Sequence, residues 1–159
     1  MTIEMPAPAK PEGVDAAVWE KMLSATPVEA RHLIREGSFT APTSGLCPGY
    51  AQANLIVLPK EQAYDFLLFA QRNPKPCPLL EVTETGAREA TICATDCDIA
   101  TDFPRYRIYE YGKLVDEVTD VSSYWRDDLV SFVIGCSFSF ESELIEAGIE
   151  MRHNTQGRN

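Results

Sequence analysis

The sequence predicts an α/β fold with a small β-rich insertion. The apolar run LIVL, residues 55–58, is followed at once by the helix pattern KEQAYDFLLFAQR. A second apolar run, LVSFVI at 129–134, leads into the helix pattern FESELIEAG. Residues 78–120 between them show strand patterns and no helix pattern. Strands that alternate with helices are typical of an α/β layer, and the β-rich stretch indicates an insertion into it.

Two helices are predicted ahead of the first strand. One begins near Val14. The other begins at Thr26, where TPVE supplies a cap, a proline at the first helical position and a glutamate that completes a capping box. Gly37 provides the stop. Residues 1–13, MTIEMPAPAKPEG, are proline-rich and predict a disordered lead-in.

The two apolar runs lack polar alternation, so each predicts a strand covered on both faces. The first run ends at Pro59, and the helix behind it carries an apolar stripe at Ala63, Phe66, Leu67 and Ala70.

Strands are predicted at PLLEV and EATICAT, and RYRIYEYGKLVDEV predicts a hairpin that turns at Gly112. SSYWRDD predicts a capped helical turn that returns the chain to the main layer. We therefore expect a main domain at 14–77 plus 121–159 and an insertion at 78–120.

Charge and composition exclude several kinds of partner. The chain has 159 residues, a formal net charge of -10 and a pI of about 4.6. That charge repels nucleic acid and anionic lipid surfaces. No apolar run approaches the roughly 20 residues of a membrane span, and the N-terminus lacks the basic start and apolar core of a secretory signal. We expect a cytoplasmic protein with no nucleic-acid or membrane partner.

The five cysteines are scattered and odd in number, which predicts reduced thiols. Cys93 and Cys97 are four residues apart, but no second pair of ligands accompanies them, and His32 and His153 lie far away in sequence. We expect no metal site.

The stretch FVIGCSFSFE, residues 132–141, joins a predicted strand to a predicted helix. A helix N-terminus favours negative charge, so Ser137, Ser139 and backbone N–H groups there could hold a carboxylate. Cys136 would have a stabilised thiolate, and Glu141 could carry a proton. The alternative is structural: Ser139 caps the helix, Glu141 complements its dipole, and Cys136 packs as a small apolar residue.

A second candidate is GLCPGYAQAN at residues 45–54. Its glycines and proline fix an irregular backbone, while Tyr50, Gln52 and Asn54 offer hydrogen-bonding groups just before a strand. Binding loops have this composition, and so do plain turns.

Arginines near the hairpin and the second buried strand are further candidates. Arg105, in TDFPRYR, and Arg126 could each grip a carboxylate with two parallel hydrogen bonds. Asp128 lies beside Arg126 in the sequence. The alternative is that these charges pair with one another on a solvated face.

Four segments together resemble the bacterial hydro-lyase family that includes the mitochondrial D-glutamate cyclase. They occur in order within residues 16–153 and are GLCPGYAQANLIVLP, NPKPCPLLEV, TDFPRYRIY and DDLVSFVIGCSFSFESELIEAGI. The resemblance implies a three-layer α/β/α main domain interlocked with a small two-layer α+β domain. It implies no cofactor.

The resemblance also implies an activity: D-glutamate loses water and closes to 5-oxo-D-proline. On that hypothesis Glu141 or Asp128 moves protons, Ser137 and Ser139 hold the oxyanion, and Arg105 or Arg126 holds the α-carboxylate. Tyr50, Gln52 and Asn54 would contact the substrate. Cys136 could instead act as a nucleophile through a thioester.

Family members run on for roughly another hundred residues, a domain's worth, so we expect this chain to match their N-terminal part. Two other hypotheses stay open. The chain could be a non-catalytic protein that binds an acidic metabolite, or a subunit of a 5-oxoproline-metabolising assembly. It could also be an inactive remnant. An open apolar surface would favour self-association, so we expect a homo-oligomer.

Overall fold

The computed structural model describes residues 8–152, apart from the side chain of Ser142. This part of the chain is a mixed α/β structure with four α-helices and three antiparallel sheets. The helices are α1 (Ala16–Ser24), α2 (Pro27–Arg35), α3 (Lys60–Arg72) and α4 (Glu141–Glu146). The strands are β1 (Ala53–Pro59), β2 (Leu79–Val82), β3 (Glu89–Ala90), β4 (Cys97–Asp98), β5 (Tyr106–Glu110), β6 (Lys113–Val118) and β7 (Leu129–Gly135).

The largest sheet has three strands in the order β1-β7-β2, with β7 antiparallel to both neighbours. Six of the seven residues of β7 are buried, as the unbroken apolar run predicts. Helix α3 covers one face of the sheet. Phe66 meets Phe132 edge to face, with ring centroids 4.8 Å apart, and Val130 and Ile134 complete this cluster.

The opposite face of the sheet is covered by the chain between residues 88 and 125, which forms loops and short strands and no α-helix. Leu55 of β1 packs against two small clusters there, one around Ile99 and one around Tyr106. The Tyr106 hydroxyl donates to the Ile99 carbonyl at 2.7 Å, and the Trp125 indole donates to the Gly86 carbonyl at 3.1 Å. These bonds hold loops, rather than a helix, against the sheet.

Helices α1 and α2 form a separate core. Trp19 and Phe39 stack with ring centroids 6.4 Å apart, beside the fully buried Met22. The capping box predicted at the start of α2 is confirmed, because Thr26 and Glu29 bond each other's backbone N–H groups. Helix α1 begins two residues after the predicted start, since Asp15 caps it.

A buried carboxylate ties α2 to the loop before β5. Asp102 is 4% exposed and receives both Nε and Nη2 of Arg35 at 2.7 Å. It also accepts from the Asp98 backbone N–H at 3.0 Å and from the Thr101 hydroxyl at 2.9 Å. Next to it, His32 contacts Asp96 at 2.7 Å. The paired arginine and the extra donors satisfy a charge that burial would otherwise destabilise.

The strand predicted at EATICAT is wrong beyond its first residues. Only Glu89 and Ala90 form a strand, and residues 91–96 are a loop. The reason is the buried Glu81 on β2, whose carboxylate accepts the backbone N–H groups of 91, 92 and 93 at 2.7 to 3.0 Å. Backbone N–H groups that bond a side chain cannot also bond a neighbouring strand.

The hairpin of β5 and β6 is confirmed. Its two turn residues, Tyr111 and Gly112, both have positive φ, 48° and 77°. A two-residue turn with positive φ at both positions matches the twist of the strands, and glycine adopts that φ without strain.

The three-layer arrangement and the division into main domain and insertion stay predictions. Strand β2, which begins at Leu79, pairs with β7. Residues 1–7 of the predicted lead-in, and His153, lie outside the described residues. Among residues 8–152, no helix has both the length and the apolar character that a membrane crossing requires.

We predict that Asp102→Ala lowers the free energy of unfolding by about 3–5 kcal/mol, because it removes both short bonds of Arg35 and leaves that arginine only its longer contacts with Asp96. Asp128→Ala is the matched control. It removes the same two-bond contact with an arginine, but both partners are exposed, so we expect a loss of about 0–1 kcal/mol. Urea denaturation at pH 7 measures both. Equal losses would show that burial of Asp102 contributes nothing.

We predict that Glu81→Gln destabilises the fold by about 1–3 kcal/mol at pH 7, because an amide offers one acceptor oxygen where the carboxylate offers two. Burial alone would raise the pKa of Glu81, but the N–H groups of Cys93 and Thr91 lower it further than burial raises it. A lowered folded-state pKa stabilises the fold above the unfolded pKa, and this stabilisation is lost as pH falls through the folded value. The difference from wild type should therefore shrink below about pH 4. Exposed Glu89→Gln is the control, and a difference that persisted in acid would contradict the assignment.

Candidate functional site

An open cleft of about 1590 Å³ runs along the edge of β1. All seven residues of β1 line it. Residues 38 and 40–43 line it as well, together with residues 103–112 and part of the chain from 121 to 126. Cys136 and Phe138 close the end nearest the turn that follows β7. The cleft is therefore the place where the candidate loops and the hairpin arginines meet.

The turn after β7 brings two of the predicted candidates together. The Cys136 N–H donates to the Gln52 carbonyl at 2.9 Å, which continues the pairing of β1 with β7. The Ser139 hydroxyl accepts from the Gln52 N–H at 2.8 Å and donates to the Gln52 carbonyl at 3.2 Å. Two stretches 87 positions apart thus form one end of the cleft.

Ser139 does not cap α4, contrary to the structural alternative. A 3₁₀ turn, Ser137–Phe140, separates β7 from α4, and Phe140 occupies the N-cap without a side-chain bond. The hydroxyl is engaged by Gln52 instead. Ser137 is exposed and does not line the cleft, while Glu141 is buried and also lies outside the lining.

The side chain of Gln52 holds its own loop. Its Oε1 accepts from the Thr43 hydroxyl at 2.8 Å, and its Nε2 donates to the carbonyls of Thr43 and Leu46 at 2.9 and 3.0 Å. Asn54 is exposed within the cleft lining, whereas Tyr50 is exposed outside it. Of the three residues predicted in this loop, Gln52 and Asn54 line the cleft, and the Gln52 side chain is engaged within the loop.

Two arginines of the cleft share one carboxylate. Arg105 Nη1 and Arg107 Nε each donate to a different oxygen of Glu117, at 3.0 and 2.9 Å. Arg107 lowers the pKa of Glu117 by this hydrogen bond. This is the pairing that the structural alternative predicts for these residues. Two arginines share the single carboxylate of Glu117, and Glu110 of the same hairpin also lines the cleft.

Arg126 lines the cleft and pairs with Asp128, which does not. Its Nε and Nη2 donate to the two carboxylate oxygens at 2.8 and 3.1 Å. The hydrogen bond from Arg126 lowers the pKa of Asp128 and keeps it ionised at neutral pH. A carboxylate with a lowered pKa is a weak base, so proton transfer by Asp128 would require Arg126 to move.

Five of the ten predicted site residues line the cleft: Cys136, Gln52, Asn54, Arg105 and Arg126. The structure places the other five outside the lining: Tyr50, Asp128, Ser137, Ser139 and Glu141. Sequence analysis missed the four tyrosines of the lining, Tyr106, Tyr109, Tyr111 and Tyr124. The alternation of the hairpin offered a signal for Tyr109, since it lies two residues after Arg107 on the same strand face.

The thiols beside the sheet are poorly suited to reaction. Cys93 is exposed, but partial desolvation by its loop and the neighbouring Glu81 carboxylate raise the pKa of its thiol to about 12. Burial raises the pKa of Cys97 to about 11. Within the described part of the chain, His, Cys, Asp and Glu side chains form no group of three that could hold a metal ion.

Comparison with known proteins gives consistent matches. A family model described as D-glutamate cyclase matches residues 130–159. A Clostridium beijerinckii protein is 65% identical over 127 residues, 80% of this chain and 48% of the relative. A Bacillus subtilis protein is 58% identical over 133 residues, 84% of this chain and 52% of the relative. A Psychrobacter arcticus protein is 54% identical over 134 residues, 84% of this chain and 51% of the relative. All three carry the name "Putative hydro-lyase".

These matches confirm the resemblance to the bacterial hydro-lyase family. The chain spans about half the length of the curated relatives it matches. The D-glutamate cyclase model covers β7 from Val130 onward, the 3₁₀ turn and α4, and this stretch includes Cys136 and Phe138 at the end of the cleft.

We predict that Ser139→Ala destabilises the chain by about 1 kcal/mol, because the backbone of Gln52 loses both bonds to the hydroxyl. Amide exchange at Gln52 should accelerate. Ser137→Ala is the control; that side chain is exposed, so the change should stay within about 0.5 kcal/mol. Urea denaturation and hydrogen exchange measure the two effects, and an unchanged Gln52 amide in Ser139→Ala would contradict the coupling.

Proposed function

We propose that this chain forms part of a hydro-lyase that dehydrates D-glutamate, or a related acidic amino acid, to 5-oxo-D-proline. One observation carries the proposal. The D-glutamate cyclase model matches the strand and turn that place Cys136 in the cleft. The relatives' shared name supports the class of reaction. The substrate is our inference from the family description and from the cationic side chains in the cleft.

The reaction is a ring closure. The amine nitrogen forms a bond to the γ-carboxyl carbon, and the bond from that carbon to one oxygen breaks. The ammonium nitrogen gives up two protons in all, and the departing oxygen takes up two and leaves as water. A base must take the protons from nitrogen, an acid must protonate the departing oxygen, and donors must hold the developing oxyanion.

Our assignment places the α-carboxylate against the cationic wall of the cleft. Arg105 and Arg107 share one carboxylate, so either guanidinium can turn to a ligand carboxylate while the other keeps Glu117. Arg126 can add a contact if its bond to Asp128 is exchanged for one to the substrate. Asn54 of β1 also lines the cleft and is assigned a bond to a substrate oxygen.

The turn after β7 receives the reacting carboxyl group in this proposal. Ser137 and Ser139 hold the oxyanion and Glu141 moves protons in this scheme. All three lie outside the cleft lining, and Ser139 bonds Gln52, so these roles require the turn to move toward the substrate. Cys136 is the alternative nucleophile, since it lines the cleft at this turn. Tyr50 and Gln52 shape the facing loop. No cofactor takes part in this scheme.

We also propose that the protein acts in amino-acid metabolism in the cytoplasm and that it associates with itself. The fold that accompanies this function is a three-layer α/β/α main domain with a small two-layer insertion.

We predict that the purified chain converts D-glutamate to 5-oxoproline and that Glu141→Gln abolishes the conversion, because an amide cannot exchange the proton. Proton NMR follows both compounds, and L-glutamate tests stereochemical preference. Glu143→Gln, an exposed glutamate on the same helix, is the control and should retain activity.

The outcomes separate the proposal from its alternatives. Unchanged turnover in Glu141→Gln would remove Glu141 from the mechanism. Line broadening of either ligand without conversion would favour a protein that binds an acidic metabolite. No conversion and no broadening would overturn the proposed substrate.

A further inference from the structure

Strand β1 has one edge that pairs with nothing in the described structure. It lies at the side of the three-stranded sheet and pairs only with β7. In an antiparallel pair, residues that face each other alternate between exchanging two backbone hydrogen bonds and exchanging none. Every second residue of β1 must therefore direct its N–H and carbonyl away from β7.

The register identifies those residues. At one end of the pair the Cys136 N–H bonds the Gln52 carbonyl, and at the other end the Lys60 N–H bonds the Asp128 carbonyl. Both positions on the β1 side are even-numbered, so the even residues of β1 face β7. Strand β7 shows the complementary pattern, because its odd residues bond toward β2, as Gly135 does with Pro78.

The outward-facing groups belong to the odd residues of β1. The N–H groups of Ala53, Leu55 and Val57 donate to no described residue, and Pro59 has no N–H to donate. The open edge of β1 therefore offers three backbone N–H donors, and at Pro59 it has none. Proteins normally cover, charge or shorten such an edge, since unpaired N–H and carbonyl groups are a template for another strand.

The position of this edge restricts what can pair with it. It lies inside the cleft, opposite the hairpin residues 103–112 and beside residues 40–43. In a second folded copy, β1 lies in the same kind of cleft. Pairing of the two β1 edges would therefore bring the hairpin of one copy against that of the other. A single extended segment needs only about 4.8 Å beside β1. The cleft therefore suits one strand from a polypeptide that is otherwise outside it.

The relatives indicate where such a strand comes from. The Bacillus subtilis protein shares 133 residues with this chain, and they make up 52% of its length. The other half has no counterpart among the residues matched here. We propose that a segment of the relatives' unmatched half adds a fourth strand to the sheet, along the open edge of β1. This inference concerns assembly and does not rest on the proposed lyase activity.

Hydrogen exchange on the full chain tests the proposal. The unmatched half of the Bacillus subtilis relative is expressed separately and added to the labelled chain. We expect the amides of Leu55 and Val57 to slow by about tenfold or more on mixing, while those of Ile56 and Leu58 are slow before and after. This alternation is specific to strand addition, since general burial would slow all four.

Val57→Pro provides an independent test. It removes an outward N–H and leaves the bonds to β7 in place, and edge strands tolerate proline at such positions. Val57→Ala is the matched control, because it shortens the side chain and keeps the N–H. We expect Val57→Pro to weaken the complex about tenfold or more and Val57→Ala to change it far less.

Thermal unfolding verifies that both variants fold. Failure to form a complex with the wild-type chain would overturn the proposal. A complex that leaves the exchange of Leu55 and Val57 unchanged would also overturn it. Measurements of glutamate conversion play no part in these readouts, so loss of the proposed function would leave this result intact.

Discussion

The structure depends on strand β7, which is paired along both edges and covered on both faces. Its even residues Val130, Phe132 and Ile134 face α3, and its odd residues face the irregular chain on the other side. Buried backbone must be hydrogen bonded, so β7 requires β1 and β2 beside it. The same strand ends at Gly135 and delivers the turn that closes the cleft. The position of the candidate site is thus a consequence of how this strand is buried.

Two buried carboxylates organise the irregular half of the molecule. Glu81 collects three consecutive N–H groups from the 91–96 loop, and Asp102 joins α2 to the chain that enters the hairpin. Each carboxylate holds a loop, rather than a strand or a helix, against the sheet. A buried charge is tolerated only when its donors surround it, so these loops have little freedom to rearrange. They form a rigid support behind β1.

The charge of the cleft differs from that of the chain. The protein carries a net charge of -10, but Arg105 and Arg107 share a single carboxylate, Glu117. A carboxylate ligand can be attracted locally where the protein as a whole repels it. Arg126 pairs with Asp128, and a ligand carboxylate could compete with Asp128 for the same guanidinium. Ser139 and Gln52 join the start of β1 to the turn after β7 at the other end of the cleft.

The sequence by itself determined the elements whose signals are local. The capping box at Thr26, the hairpin turn at Gly112 and a strand at each apolar run depend on neighbouring residues, and each is confirmed. The predicted cover on both faces holds for β7 but is wrong for β1, whose residues are at most half-buried and line the open cleft. The four family motifs also predicted the relationship that comparison confirms. Tertiary structure decided what involves distant partners. Glu81 converts a β-prone segment into a loop, and Ser139 bonds Gln52 instead of capping a helix, because side-chain partners 10 to 87 positions away compete with local propensity. The open edge of β1 likewise follows from strand order, which no local pattern encodes.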